Sequence, residues 1–116
     1  MSTIRVIITK IPKQVSKHKI DNTQINSFIN MQNSLTTAAS QFPGFIESQS
    51  YWKTNNNIDS IYPIINMSLW NSELDWKYWY NSLERNQIMK FQSDLCKEVN
   101  IDICKNRVAY MDIPLL

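Results

Sequence analysis

Residues 64–79, IINMSLWNSELDWKYW, contain the transition that decides the fold of this 116-residue chain. The segment closes an extended, alternating run that begins at Ile58 and is typical of a strand. Ser72-Glu73-Leu74-Asp75 then has the form of a helix N-cap, because a serine oxygen can accept a hydrogen bond from a backbone N–H of the first turn. Trp76 and Trp79 follow at helical spacing. A strand that runs through a capped turn into an aromatic helix is therefore predicted.

The residues before this strand predict a hairpin and a tight turn. A first strand of the hairpin is expected from 45 to 53, and the polar residues 54–57 form its turn. Pro63, inside the second run, predicts an edge position or a bulge near the start of that strand. Gln41-Phe42-Pro43-Gly44-Phe45 precedes the hairpin, and Gly44 is the only glycine in the chain. Because glycine adopts a positive φ without strain, we expect a helix-to-strand turn there.

Two further elements are predicted upstream of that turn. Ile4, Val6 and Ile8 alternate in a short run that Pro12 ends, which indicates a first strand. Residues 21–24 have the form of a capping box and should begin a helix. The apolar face of this helix is carried by Ile25, Phe28, Met31 or Gln32, Leu35, Ala38, Ala39 and Phe42.

The C-terminal third predicts a broken helix and a last strand. Asn81-Ser82 separates the aromatic helix from a third one that carries Ile88, Phe91 and Leu95, and the last strand is expected from 107 to 113. The order β-α-β-β-α-α-β predicts a single α+β domain over residues 1–116, ferredoxin-like, with an antiparallel four-stranded sheet. Helices would cover one face of this sheet, so the other face, with side chains such as Trp52 or Tyr51, is a plausible dimer surface.

Composition excludes several classes of function. The formal charge is only +2 and the basic residues are scattered, so we expect no nucleic-acid partner. No apolar stretch is long enough for a membrane span and residues 1–5 have no signal-peptide pattern, so a soluble, cytoplasmic protein is expected. Cys96 and Cys104 should then remain reduced thiols, and neither has a neighbour at metal-ligand spacing, so no metal is expected.

Three segments resemble the antibiotic biosynthesis monooxygenase-like family: residues 41–45 at the helix-to-strand turn, residues 64–72 at the end of a strand, and Trp76-Lys77-Tyr78-Trp79 in the following helix. The resemblance covers nearly the whole chain. It implies a dimeric α/β-barrel, in which two sheets pack face to face and each subunit holds a cavity between its sheet and its helices. Some members of the family oxidise polyketide phenols to quinones without metal or flavin, and others degrade haem, so the fold alone leaves the chemistry open.

The quinone-forming branch implies a specific site. That branch has an Asn four residues before the Trp at the end of the strand, and Asn66 and Trp70 stand in this relation. They would be the catalytic hydrogen-bond donors to a substrate carbonyl oxygen, as in an oxyanion hole, with no cofactor. Ser68 would face the same cavity and bind the substrate. Trp76 falls where that branch has a Tyr and Lys90 near its Arg; together with Trp79 they would bind the substrate.

Three functions therefore fit the sequence to different degrees, and whether the protein is an enzyme stays open. The first is a cofactor-independent monooxygenase that oxidises a small aromatic or polyketide-like phenol with O2. The second is a non-catalytic homodimeric module that binds a small apolar ligand or a partner, with Asn66, Trp70, Trp76 and Lys90 in ordinary structural roles. Haem degradation fits least: Trp79 matches that branch, but Met89 occupies the His position, the first strand offers Thr9 and Lys10, and the only histidine is His18.

Overall fold

The computed structural model describes residues 3–12, 22–52, 63–92 and 96–105. In chain order its elements are β1 (Ile4–Pro12), α1 (Asn22–Ala39), β2 (Phe45–Trp52), β3 (Ile64–Trp70), α2 (Glu73–Tyr80), α3 (Leu83–Gln92) and β4 (Cys96–Lys105). This confirms the predicted order β-α-β-β-α-α-β. The predicted cap at Asp21 lies outside the described residues.

The four strands form one antiparallel sheet in the order β2-β3-β1-β4. Strands β1 and β3 lie at the centre, and their register pairs Ile8 with Asn66 and Val6 with Ser68. This is the ferredoxin-like arrangement, so the predicted fold class is confirmed.

The two faces of the sheet differ in burial, because successive side chains of a strand point to opposite faces. Along β3 every second residue from Ile64 to Trp70 is buried, and the residues between them are half-buried. The buried face of β1 and β3 packs with Phe28, Met31 and other apolar residues of the helices into one core. We call this helix-covered side the inner face and the opposite side the outer face.

Gly44 makes the turn between α1 and β2. Its φ is 87°, a conformation that other residues rarely adopt. Its carbonyl oxygen accepts a hydrogen bond of 2.8 Å from the backbone N–H of Asn71, which ties the turn to the end of β3. The predicted role of this glycine is confirmed.

Local hydrogen bonds set the start of α2 and the break after it. The Oγ of Ser72 accepts a hydrogen bond of 3.1 Å from the backbone N–H of Asp75, so the predicted cap is confirmed. The break falls at Asn81 and Ser82, as predicted; there the Oγ of Ser82 accepts a hydrogen bond of 3.2 Å from the backbone N–H of Arg85 and caps α3. None of the helices in the described ranges is long and apolar enough to cross a membrane.

Three expectations need correction. The fourth strand of the sheet is β4, and the segment 107–113 that was expected to form it lies outside the described residues. Pro63 precedes β3, which is a central strand, so the expected edge position is wrong; a proline just before the first ladder residue removes no ladder hydrogen bond. Trp52 lies on the inner face, 5.9 Å from Phe28 between ring centroids, so of the two aromatic residues expected at the dimer surface only Tyr51 points to the outer face.

Replacement of Gly44 by valine should lower the free energy of unfolding by about 2 kcal/mol or more, because a left-handed conformation is costly for a side chain with a Cβ. A Cβ at this position would also lie 2.5 Å from the Cβ of Asp75. Denaturant unfolding measures the change, and Gln41→Val, at an exposed position of the same turn, is the control. Equal stability of the two variants would contradict this role of Gly44.

Candidate functional site

Three polar or aromatic residues of β3 form a row on the inner face. Asn66, Ser68 and Trp70 are exposed by only 8%, 6% and 0%, respectively. They alternate with Ile65, Met67 and Leu69, which point to the outer face, and this places all three beneath the helices. Two of the expected site residues, Asn66 and Trp70, are therefore on the same side of the sheet as Ser68.

Serine hydroxyl groups and one backbone carbonyl group accept the hydrogen bonds of this row. The Nδ2 of Asn66 donates to the Oγ of Ser48 and to the Oγ of Ser50, each at 2.9 Å, and to the backbone oxygen of Gln49 at 3.3 Å. The Nε1 of Trp70 donates to the Oγ of Ser68 at 3.0 Å. The shorter hydrogen bonds of both groups expected to bind a substrate oxygen thus go to hydroxyl groups, which can rotate toward other partners.

Helix α2 covers the row with Trp76 and Trp79, and we call these two residues the roof. Trp76 and Trp79 are buried, with exposed fractions of 5% and 6%. The ring of Trp79 packs edge-on against Phe42 with 5.1 Å between centroids, and the ring of Trp76 lies 4.9 Å from that of Tyr80. Because Ser72 caps α2 directly after β3, the short connection holds both tryptophans above Trp70.

A cavity of about 30 Å³ lies between the row and the roof. Five expected site residues line it: Asn66, Ser68, Trp70, Trp76 and Trp79. The volume is close to that of one water molecule in the liquid, far below the several hundred Å³ of a typical ligand site.

Lys90 does not line this cavity. Its side chain is exposed in the last turn of α3, where a cation stabilises the helix dipole. The residue of α3 that lines the cavity is Arg85, which is exposed by 7%. The two are five positions apart, which places Lys90 about 140° around the helix axis from Arg85.

The cavity also contains charged and polar residues that the sequence analysis did not assign to the site. Lys10 is 2% exposed, and its Nζ donates a hydrogen bond of 3.1 Å to the Oε1 of Gln32 in α1. Lys10 is the next inward position after Ile4, Val6 and Ile8, so the alternation of β1 could have identified it.

A charge pair lies beside Lys10. Arg85 pairs with Glu98 of β4, and the hydroxyl group of Tyr80 donates to the Oε2 of the same carboxylate at 3.0 Å. The guanidinium carbon of Arg85 lies 3.9 Å from the centroid of the Tyr80 ring, a cation–π contact. Burial, followed by the negative charge of Glu98, raises the pKa of Tyr80 above its usual value.

The amine of Lys10 titrates far from its usual range. Burial lowers its pKa from 10.5 to about 8, because the charged form loses its hydration. Glu98 and Cys96 oppose the shift in the pKa of Lys10, and Arg85 adds to it. This amine thus changes its charge close to neutral pH.

The residues required for haem degradation are not brought together in the described ranges. Met89 of α3 packs against the core, and His18 lies outside the described residues. Strand β1 has Thr9 and Lys10 where haem-degrading members have an Asn. Lys10 points inward, and Thr9 is half-buried on the outer face.

Comparison with known proteins identifies the fold. Neither the family models nor the sequences of curated proteins gave a match to this chain. Among solved structures, HapK from Hahella chejuensis is 10% identical, with a TM-score of 0.68 over 97% of this chain and 99% of that one. SnoaB from Streptomyces nogalater, a cofactor-independent oxygenase, is 10% identical, with a TM-score of 0.61 over 99% and 100%.

A third neighbour carries the name that the sequence resemblance had indicated. A candidate antibiotic biosynthesis monooxygenase from Chloroflexus aurantiacus is 10% identical, with a TM-score of 0.61 over 94% of this chain and 97% of that one. At such identities the likeness establishes the fold and leaves the activity open. The chain has the antibiotic biosynthesis monooxygenase-like fold, as the resemblance implied.

The titration of Lys10 makes stability depend on pH. The unfolded chain holds this proton up to pH 10.5, whereas the folded protein releases it near pH 8. Between these values stability should rise with pH, by about 3 kcal/mol in total from this group, and below pH 8 the full cost of the buried charge applies. Denaturant unfolding of the wild type and of Lys10→Met is measured across this pH range. The difference between their free energies of unfolding isolates Lys10, because the titration of all other groups cancels.

Lys97→Met, at an exposed position of β4, is the matched control and should follow the wild type. If Lys10→Met and the wild type gave parallel curves between pH 8 and 10.5, the amine would not be buried in the way described.

Proposed function

We propose that this protein is a cofactor-independent monooxygenase that oxidises a small aromatic or polyketide-like phenol with O2. The single observation that supports this is the buried row on β3, where the side-chain N–H groups of Asn66 and Trp70 and the hydroxyl of Ser68 face a cavity under the helices. Aligned donors in a water-poor site stabilise negative charge on an oxygen atom. The same fold occurs in SnoaB, a cofactor-independent oxygenase.

In this proposal the N–H groups of Asn66 and Trp70 bind the substrate carbonyl oxygen. That oxygen replaces the serine hydroxyl groups that now accept these hydrogen bonds. When the ring loses a proton, negative charge moves onto the carbonyl oxygen, and the same donors bind it more strongly than in the ground state. The proton leaves to solvent water, and the electron-rich ring carbon attacks O2 to form a C–O bond. After protonation, the resulting peroxide eliminates water together with the remaining hydrogen of that carbon. One oxygen atom thus stays in the product as a carbonyl, the other leaves as water, and the substrate itself supplies all the electrons.

The roof must move for a substrate to enter. A typical ligand site has about ten times the present volume of about 30 Å³, or more. Helix α2 is tied to β4 by the ion pair of Glu73 with Lys105 and by the hydrogen bond from Tyr80 to Glu98. In this proposal the indole rings of Trp76 and Trp79 rotate to enlarge the cavity, while the helix and the strands keep their places. Trp76 contributes an indole N–H donor here, where a tyrosine would also share a phenolic proton.

A non-catalytic module of the same fold is the second proposal. Two observations favour it: Trp76 and Trp79 fill most of the space above the row, and the donors of Asn66 and Trp70 already have acceptors within the chain. In that case the row is a structural feature of the core, and any small apolar ligand binds without turnover.

We also propose that the outer face forms a homodimer. In the described ranges the three helices pack on the inner face, while Ile7, Ile65, Met67 and Leu69 of the two central strands remain half-buried on the other side. An apolar sheet face of this kind is rarely left in contact with water, and a second copy of the same face would cover it.

Oxygen uptake with an anthrone-type phenol tests the first proposal. The wild type should consume oxygen, and Asn66→Ala should lose about 100-fold in kcat, because one donor to the developing charge is removed. Asn86→Ala, an exposed asparagine of α3, is the control and should keep the wild-type rate. Equal rates in wild type and Asn66→Ala would remove the catalytic role of Asn66, and no uptake by the wild type would leave the non-catalytic module.

Light scattering coupled to gel filtration tests the dimer. The wild type should elute with twice the mass of the 13.7 kDa chain. Met67→Lys places an ammonium group at the centre of the outer face and should weaken association at least about 100-fold, since a buried unpaired charge is costly. Asn86→Lys is the control on α3. A monomeric wild type at micromolar concentration would contradict the dimer.

A further inference from the structure

On the inner face of the described residues, the buried positive charges outnumber the negative charges that pair with them by one. Lys10 and Arg85 are both buried cations. The carboxylate of Glu98 pairs with Arg85, and the Tyr80 hydroxyl donates to the same group. Since Glu98 already forms an ion pair with Arg85, Lys10 has no carboxylate as an ion-pair partner on the inner face of the described residues.

The hydrogen bond of Lys10 does not supply the missing charge. Its partner, the Oε1 of Gln32, belongs to a neutral amide. An ammonium group has three N–H donors, and within the described ranges neither a second hydrogen bond nor an ion pair of this amine is formed. A buried cation in this state is stabilised most by an anion placed beside it.

The position of Lys10 places such an anion next to the row on β3. Lys10 and Asn66 line the same cavity, and the strand register pairs Asn66 with Ile8, two residues from Lys10. Diagonal neighbours of this kind are about 7–8 Å apart between Cα atoms. A ring with two oxygen substituents can therefore reach the amine with one oxygen and the donors of Asn66 and Trp70 with the other.

We propose that Lys10 binds the anionic oxygen of the ligand, so that the cavity selects acidic phenols and enols in their ionised form. The inference rests on the proposed function in that it concerns the same cavity and the same class of substrate. The proposed function does not name the residue that binds the ionised oxygen, and here that residue is Lys10. The ligand must also carry an acidic O–H group. Selection of this kind needs no oxidation and can be measured by binding alone.

Charge and proton balance follow from the groups around the amine. When the amine is neutral, the phenol O–H bond breaks and an N–H bond forms on Lys10, which gives a phenolate beside an ammonium group and changes no oxidation state. The charged groups that face it are Glu98 and Arg85, with Cys96 of β4 nearby. A bound phenolate raises the pKa of Lys10, and by reciprocity Lys10 lowers the pKa of the bound phenol.

A chromogenic nitrophenol, whose phenolate is coloured, tests the assignment. A spectrophotometric pH titration of the protein-bound dye should show ionisation at least about one pH unit below that of the free dye, a tenfold preference for the phenolate. Lys10→Met should abolish the preference or reverse it. Gln32→Glu keeps the lysine and adds a carboxylate beside it, and it should abolish the preference to the same extent.

Two controls separate charge from folding. Lys97→Met changes an exposed lysine of β4 and should titrate the dye as the wild type does. Gln32→Glu leaves the chain fully charged at position 10, so a loss of selection there cannot come from a collapsed cavity around a missing lysine. An equal preference for the phenolate in Lys10→Met and in the wild type would overturn the proposal. So would a wild type that binds the neutral and the ionised dye equally well, or one that binds neither form.

The outcomes distinguish this inference from the proposed function. Phenolate selection that depends on Lys10, with no oxygen uptake on any anthrone-type phenol, supports the inference and contradicts the monooxygenase. Oxygen uptake with an unaltered dye titration in Lys10→Met contradicts the inference and supports the monooxygenase.

Discussion

The alternation of side chains along the two central strands is the constraint on which the rest of the structure depends. On β1 and β3 every second residue is buried beneath the helices, so a polar residue at an inward position must find its partners inside the protein. Asn66 finds them in the serines of β2, Trp70 in Ser68, and Lys10 in Gln32 of α1. A slip of one residue would move all of these groups to the opposite face.

Most of the architecture could be predicted because short-range signals define it. The cap at Ser72, the break at Asn81-Ser82 and the positive φ of Gly44 each depend on a few neighbouring residues. Strand β4 was not predicted, because its alternation is interrupted: its pairing with β1 shifts between Thr9 and Lys10 and leaves Val99 exposed. Pairing with a distant strand outweighed the weak local pattern of this segment.

The candidate site was predictable only in part, for a related reason. The row on β3 follows from strand periodicity, which is fixed once the strand is assigned. The position of a side chain around a helix depends on where that helix docks, so Lys90 could not be distinguished from Arg85 before the packing of α3 was known. The alternation of β1 places Lys10 at an inward position. Because lysine is rarely buried, its residue type argued against that assignment.

In the proposed function a ligand binds between the row on β3 and the roof on α2. The most direct measurement is the NMR signal of the four tryptophan indole N–H groups during titration with a small phenol. The indole N–H of Trp70, bonded to Ser68 beside the cavity, should shift most, and that of Trp52, at 39% exposure near the edge of the sheet, least. A shift confined to Trp52, with Trp70 unchanged at saturating phenol, would contradict the account.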